Sequence, residues 1–338
     1  MLAPAVRQRT PDNCMTQSSP HTIFSVDNTH YCAWDPELIT LNLQFLDRID
    51  CTYYEYTVGS HEPAFEGEHK HRGATAMRSA YFHGLETLFA LICAMLQSPR
   101  FMVGWMLKYN NSQLRRLVDS ISKKRCDFPC KLRVPDFGWH GIATLVFLDL
   151  NIEPDLKQTL GLAYAKLWDR LAESFLDPMS VAEYNSLKHG FRVSSGGFAL
   201  AVGIEDQPGV PASPEKMQTL GSNPFGHSFF KSETLGRSEG DANFTITRQS
   251  VAWTPRSLAY ALELIGYSIQ NVVAVSKRLS GIPPDKVEFV YPGELSDFEK
   301  PFADPPSVPS FSMSFDTNPS HVRPYSREQL KSIVEERQ

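Results

Sequence analysis

A chain of 338 residues with 42% hydrophobic and 21% charged residues can build a sizeable core, which excludes an intrinsically disordered protein. Its net charge of −5 excludes bulk electrostatic attraction to nucleic acid while leaving room for a local basic patch. Six cysteines spread over this length do not read as a disulfide framework, so a reducing cytoplasm is the expected compartment.

In chain order, residues 1–34 lack sustained periodicity and read as an irregular arm, with Phe24, Tyr31 and Trp34 available to dock on the body. The opening MLAPAVRQRT shows no apolar signal-peptide region. Asp35-Pro36 then predicts a helix start, and Leu38, Leu41, Phe45, Ile49 and Tyr53 follow at helical spacing. A long helix is expected over 68–97, apolar on most sides and therefore central. Its most apolar run, 85–96, contains Glu86 and is shorter than the roughly 20 residues a bilayer span needs, so no membrane segment is expected.

Shorter helices are predicted at 101–108, 111–124 and 139–149, and a strongly amphipathic one after Pro154. Ser180 and Glu183 match a capping box, which places a helix over 181–192, broken by Ser194-Ser195-Gly196-Gly197. The apolar period then changes to two. Strands are expected from Phe198 to Ile204, at 228–234 and at 243–252, before Thr254-Pro255 starts the last long helix. Residues 282–324 are proline-rich, with strand-like VEFVY and FSMSF. The architecture is thus mainly α: a helical bundle over 35–282 with a small antiparallel β insertion at about 197–252, and a proline-rich C-terminal segment over 283–338.

Two groups of residues suggest chemistry. On the 181–192 helix, Asn185, His189 and Arg192 recur at four and three residues and share a stripe opposite Tyr184 and Leu187. A histidine serves as general base, an arginine grips phosphate with two hydrogen bonds, and an asparagine orients either. The same stripe also reads as the wet face of a surface helix whose basic last turn complements the helix dipole. On the central helix, Arg78 and His83 stand about 140° apart, and His83 lies nearer Glu86, a carboxylate that needs a partner if buried.

HEPAFEGEHKH, and Cys126 and Cys130 with His140, lack the spacing of a complete metal site, and no cofactor-binding motif is present, so neither metal nor cofactor is expected.

The polar residues before K-H-G, together with A-M-R-S-A-Y…L-E-T-L-F, resemble the HEPN superfamily of helical bundles. Many of its members are metal-independent ribonucleases that dimerise around a composite site. Arg78–His83 fits the arginine-to-histidine count of that pattern. Asn185–His189 matches its polar-to-histidine part, with Tyr184 where the arginine would stand. The resemblance implies a homodimer acting on RNA or another phosphate-bearing ligand. His189 or His83 would be the base, Arg192 or Arg78 would hold the phosphate, and Asn185 or Glu86 would orient. The other reading is a non-catalytic binding or scaffold module that uses the groove beside residues 185–192 or the proline-rich tail.

Overall fold

A computed structural model describes residues 22–33, 37–205, 207–238, 241–315 and 326–336. The chain opens with a hairpin of β1 (Thr22–Val26) and β2 (Thr29–Ala33). Eight helices follow: α1 (Leu38–Asp47), α2 (Tyr53–His61), α3 (Lys70–Gln97), α4 (Met102–Met106), α5 (Asn111–Ser122), α6 (Trp139–Val146), α7 (Pro154–Leu176) and α8 (Pro178–Lys188). Then come β3 (Val193–Ser195), β4 (Phe198–Val202), β5 (Gln218–Asn223), β6 (Gly226–Ser238), β7 (Asp241–Ala252), α9 (Pro255–Leu279), β8 (Ser310–Phe315) and α10 (Arg327–Glu335). The fold is mainly α, with small antiparallel sheets.

The core is organised by α3 and α9, which pack along each other. Every residue of α3 from Leu88 to Gln97 is buried, which is why its sequence shows no polar stripe there. Small residues allow the close approach. A side chain at Gly84 would meet Ile265 of α9 at 3.0 Å and Tyr54 of α2 at 3.2 Å. Both helices are long and apolar enough to cross a bilayer by length and composition, and 78% of each apolar window is buried inside the fold. Proline at the first turn, whose missing N–H costs a helix nothing there, begins α7, α8 and α9.

Residues 22–33, expected to be irregular, form the β1–β2 hairpin instead. Phe24 is buried and stacks on Tyr31 with centroids 5.2 Å apart. The hairpin is tied to the core by Gln97, which is fully buried. Its amide donates to the carbonyls of Asp27 and Pro129, at 2.9 and 3.0 Å. Its oxygen accepts from Asp27 N and Trp105 Nε1, at 2.8 and 3.0 Å. Residues 1–21, Trp34 and the expected cap at Asp35-Pro36 lie outside the described residues.

The main sheet runs β3-β6-β7-β8, so FSMSF joins β7 and the sheet extends beyond the insertion expected at 197–252. Strands β4 and β5 pair separately. VEFVY is not a strand. Its Val290 is gripped by the buried Asn271 of α9, whose side-chain oxygen accepts from Val290 N at 2.8 Å and whose amide donates to Val290 O at 2.7 Å. One side chain thus replaces a strand partner.

Candidate functional site: a buried carboxylate and the cleft beside it

Two start signals compete at the beginning of α8. The structure uses Asp177-Pro178: the Asp177 carboxylate accepts from Ser180 N at 2.8 Å, and the Ser180–Glu183 capping box does not form. Beginning there, α8 buries Glu183, Ser186 and Leu187, spaced i, i+3, i+4, and carries Glu183 into the interior.

Glu183 is completely buried and meets three donors. Arg78 of α3 grips it through Nη2 at 2.7 Å and through Nε at 3.2 Å to each oxygen. His227 Nδ1 of β6 lies 2.6 Å from Oε1, and Trp253 Nε1 donates to the same oxygen at 3.2 Å. Burial alone would raise the Glu183 carboxyl. The Arg78 charge and the hydrogen bonds from His227 and Arg78 outweigh burial and hold it below the ordinary carboxylate range.

The Arg78 guanidinium is packed among rings, 4.4 Å from the centroid of Phe82, 5.2 Å from Tyr81 and 5.8 Å from Trp253. Its side chain keeps 11% exposure, and Nη1 has no hydrogen-bond partner among the described residues. Arg78, Tyr81 and Trp253 line a cleft of about 410 Å³, within the range of small-molecule sites. Ser174 of α7 and the first turn of α9, from Thr254 to Leu258, form further wall. Arg170 and Phe302 line it too, the guanidinium 3.5 Å from the ring centroid and bonded to Glu299 at 3.0 Å. Glu173 and Asp304 also line the cleft, so its charge is mixed.

The expected Asn185–His189–Arg192 stripe does not form. Helix α8 ends at Lys188, with His189 as its C-cap. Gly190 and Phe191 take φ of +89° and +50°, and the chain turns back so that Arg192 N donates to Ser186 O at 2.7 Å. Arg192 is therefore off the helix. His189 and Arg192 are exposed, whereas Asn185 is half-buried.

Arg78 and His83 part company too. His83 is exposed, its Nδ1 3.3 Å from Tyr54 Oη, and it lines a groove with Tyr53, Tyr56 and His61 that does not include Arg78. Glu86 is half-buried and accepts from Tyr184 Oη at 3.0 Å and Tyr109 Oη at 3.3 Å, a contact between helices. Of the six expected residues, Arg78 alone reaches the cleft.

His227, Trp253 and Thr75 stand in no motif that marks them as site residues, and Glu183 reads from its spacing to Ser180 as part of a helix cap. Signals for two of them are present. Glu183 lies four residues before Leu187, on the buried face of α8. His227 alternates with Phe229 on the buried face of β6, at 0% and 2% exposure.

Among the described residues, no three His, Cys, Asp or Glu side chains are placed to hold a metal ion, and Cys32, Cys51, Cys93, Cys126 and Cys130 are free. The chain matches no family model, no curated protein and no solved structure.

Proposed function

We propose that this protein is a binding module whose ligand presents an anionic group, a phosphate or a carboxylate, to Arg78 in the cleft beside Trp253. The observation that carries this reading is the state of the Arg78 guanidinium. Glu183 fixes one side of it, aromatic rings enclose it, and Nη1 is left unbonded among the described residues beside an open cleft. An arginine held in this way has lost its side-chain freedom before the ligand arrives, so less entropy is given up on binding. Tyr81, Trp253 and Phe302 offer ring faces for the apolar body of the ligand.

The alternative, a HEPN-like ribonuclease, requires Arg78, His83, Asn185, His189 and Arg192 to act on one phosphodiester. Within one chain Arg78 and His83 line different clefts, neither of which includes Asn185, His189 or Arg192, and this favours the binding reading. RNA cleavage in EDTA that is lost in His189→Ala or His83→Ala would reverse that preference.

The binding reading is tested by thermal melting with phenyl phosphate and with benzoate. Ligand that binds only the folded state raises Tm in a concentration-dependent way. Wild type is expected to respond to at least one of the two at millimolar concentration, and Arg78→Lys to lose the response. No response in wild type, or an equal one in Arg78→Lys, overturns the reading.

A further inference from the structure

We infer that the ligand of this cleft is an amino-bearing aromatic acid, whose ammonium group pairs with Glu173 while its acidic group bonds Arg78; this rests on the anion-binding reading above. Spacing on α7 aims the carboxylate. Arg170, Glu173 and Ser174, at i, i+3 and i+4, share one helix face, and all three line the cleft. Glu173 is exposed, and its carboxylate has no hydrogen-bond or ion-pair partner among the described residues. Tyr81 Oη donates to Ser174 Oγ at 3.0 Å, and the Tyr81 ring centroid is 5.2 Å from Arg78 Cζ. A single phenol ring therefore links Arg78 to the neighbour of Glu173, which puts both charges within reach of one small ligand.

The acid-binding end is held in place from behind. Glu183 grips Arg78, His227 meets Glu183, and Thr75 Oγ1 lies 3.0 Å from His227 Nε2. The first turn of α9 also lines the cleft and brings the positive end of a helix dipole beside Trp253. The acidic end of a ligand is thus drawn to the Arg78–Trp253 wall.

The charges around the cleft favour a ligand of both signs. Of the four charged residues that line it, Arg78 is balanced by Glu183, and Arg170 bonds Glu299. Asp304 lies within range of the Arg256 charge. Glu173 is left uncompensated. An acid without an amino group brings its negative charge toward that carboxylate, and like charges in a partly enclosed site repel. An ammonium group on the same ligand turns the repulsion into attraction. Glu173 then also gives specificity, because it disfavours purely acidic competitors.

Two matched pairs test this with the full chain: 4-(aminomethyl)benzoate against 4-methylbenzoate, and L-phenylalanine against 3-phenylpropionate. In each pair the second acid keeps the ring and the carboxylate but lacks the amino group. Kd is measured by NMR titration. Wild type is expected to bind at least one amino-bearing acid about three- to fivefold more tightly than its amine-free partner, the upper range for an ion pair open to solvent. Glu173→Gln keeps the shape and removes the charge. It is expected to abolish that preference and to bind the amine-free acid more tightly than wild type does. Equal Kd values within both pairs in wild type, with the amine-free acids still binding, overturn this inference and leave anion binding by Arg78 standing. So does a folded Glu173→Gln that keeps the full preference. Binding of none of the four overturns the anion reading, and this inference with it.

Discussion

Arg78 of α3 and Glu183 of α8, separated by 105 residues, form an ion pair in which the carboxylate has no contact with solvent. Its cost of desolvation is met by three donors, so the pair is held by completeness rather than by charge alone. Glu183→Ala leaves Arg78 and the His227 and Trp253 donors without their acceptor and is expected to cost about 3–5 kcal/mol. Replacing both partners together, as Arg78→Met with Glu183→Leu, is expected to recover much of that loss. Urea unfolding of the two single variants and the double variant measures the coupling.

The same carboxylate sets an acid limit. The folded protein holds Glu183 below its ordinary value of 4.5, so the unfolded chain takes up the proton first. Its contribution to stability is therefore complete above that ordinary value and is lost as pH falls below it, through the depressed folded value. Glu183→Gln removes this linkage. Between about pH 5 and pH 2, the unfolding free energy of Glu183→Gln is expected to fall less steeply than that of wild type. Parallel slopes in urea titrations over that range would show that Glu183 does not contribute.

Asn271 offers a local test. Its amide holds Val290 at both backbone atoms, while Tyr164 Oη also donates to Val290 O at 3.0 Å. Asn271→Leu leaves the half-buried Val290 N–H as the unpaired group, and a cost of about 1 kcal/mol is expected. Hydrogen exchange should report it directly, with the Val290 amide exchanging much faster while amides in α3 keep most of their protection.

Two helical glycines should respond in opposite directions to alanine. Gly161 of α7 has nothing within 4 Å of an added methyl, so Gly161→Ala is expected to stabilise by about 0.5–1 kcal/mol through helix propensity. Gly84 lies against Ile265 and Tyr54, which are themselves buried at 0% and 3% exposure and have little room to move. Gly84→Ala is expected to destabilise by about 1–3 kcal/mol from overpacking. Thermal unfolding of the pair compares the two effects on one scale.

What was legible in the sequence was local. The apolar wrap of α3, the Thr254-Pro255 start of α9 and the period-two strands follow from neighbouring residues alone, and all three are present. The errors at α8 arose where two local signals disagreed. Asp177-Pro178 and Ser180-x-x-Glu183 both mark a helix start, and the earlier one wins because it lets Glu183 face inward. At the other end, Gly190 is the stop, yet the polar spacing of Asn185, His189 and Arg192 suggests a continuing helix. The carboxylate cluster could not be assembled from sequence because its members lie on α3, α8, β6 and the segment before α9. Only strand register and helix packing bring Thr75, Glu183, His227 and Trp253 together.

The most direct test of the anion-binding cleft is the indole N–H resonance of Trp253, which bonds Glu183 beside Arg78. In ¹⁵N-labelled protein titrated with phenyl phosphate and, separately, with benzoate, that resonance is expected to shift saturably with at least one of them. In Arg78→Lys the affinity should be at least about tenfold weaker, a loss of roughly 1.4 kcal/mol. A Trp253 signal that stays still while other resonances move, or an Arg78→Lys titration that overlays wild type, would contradict the account.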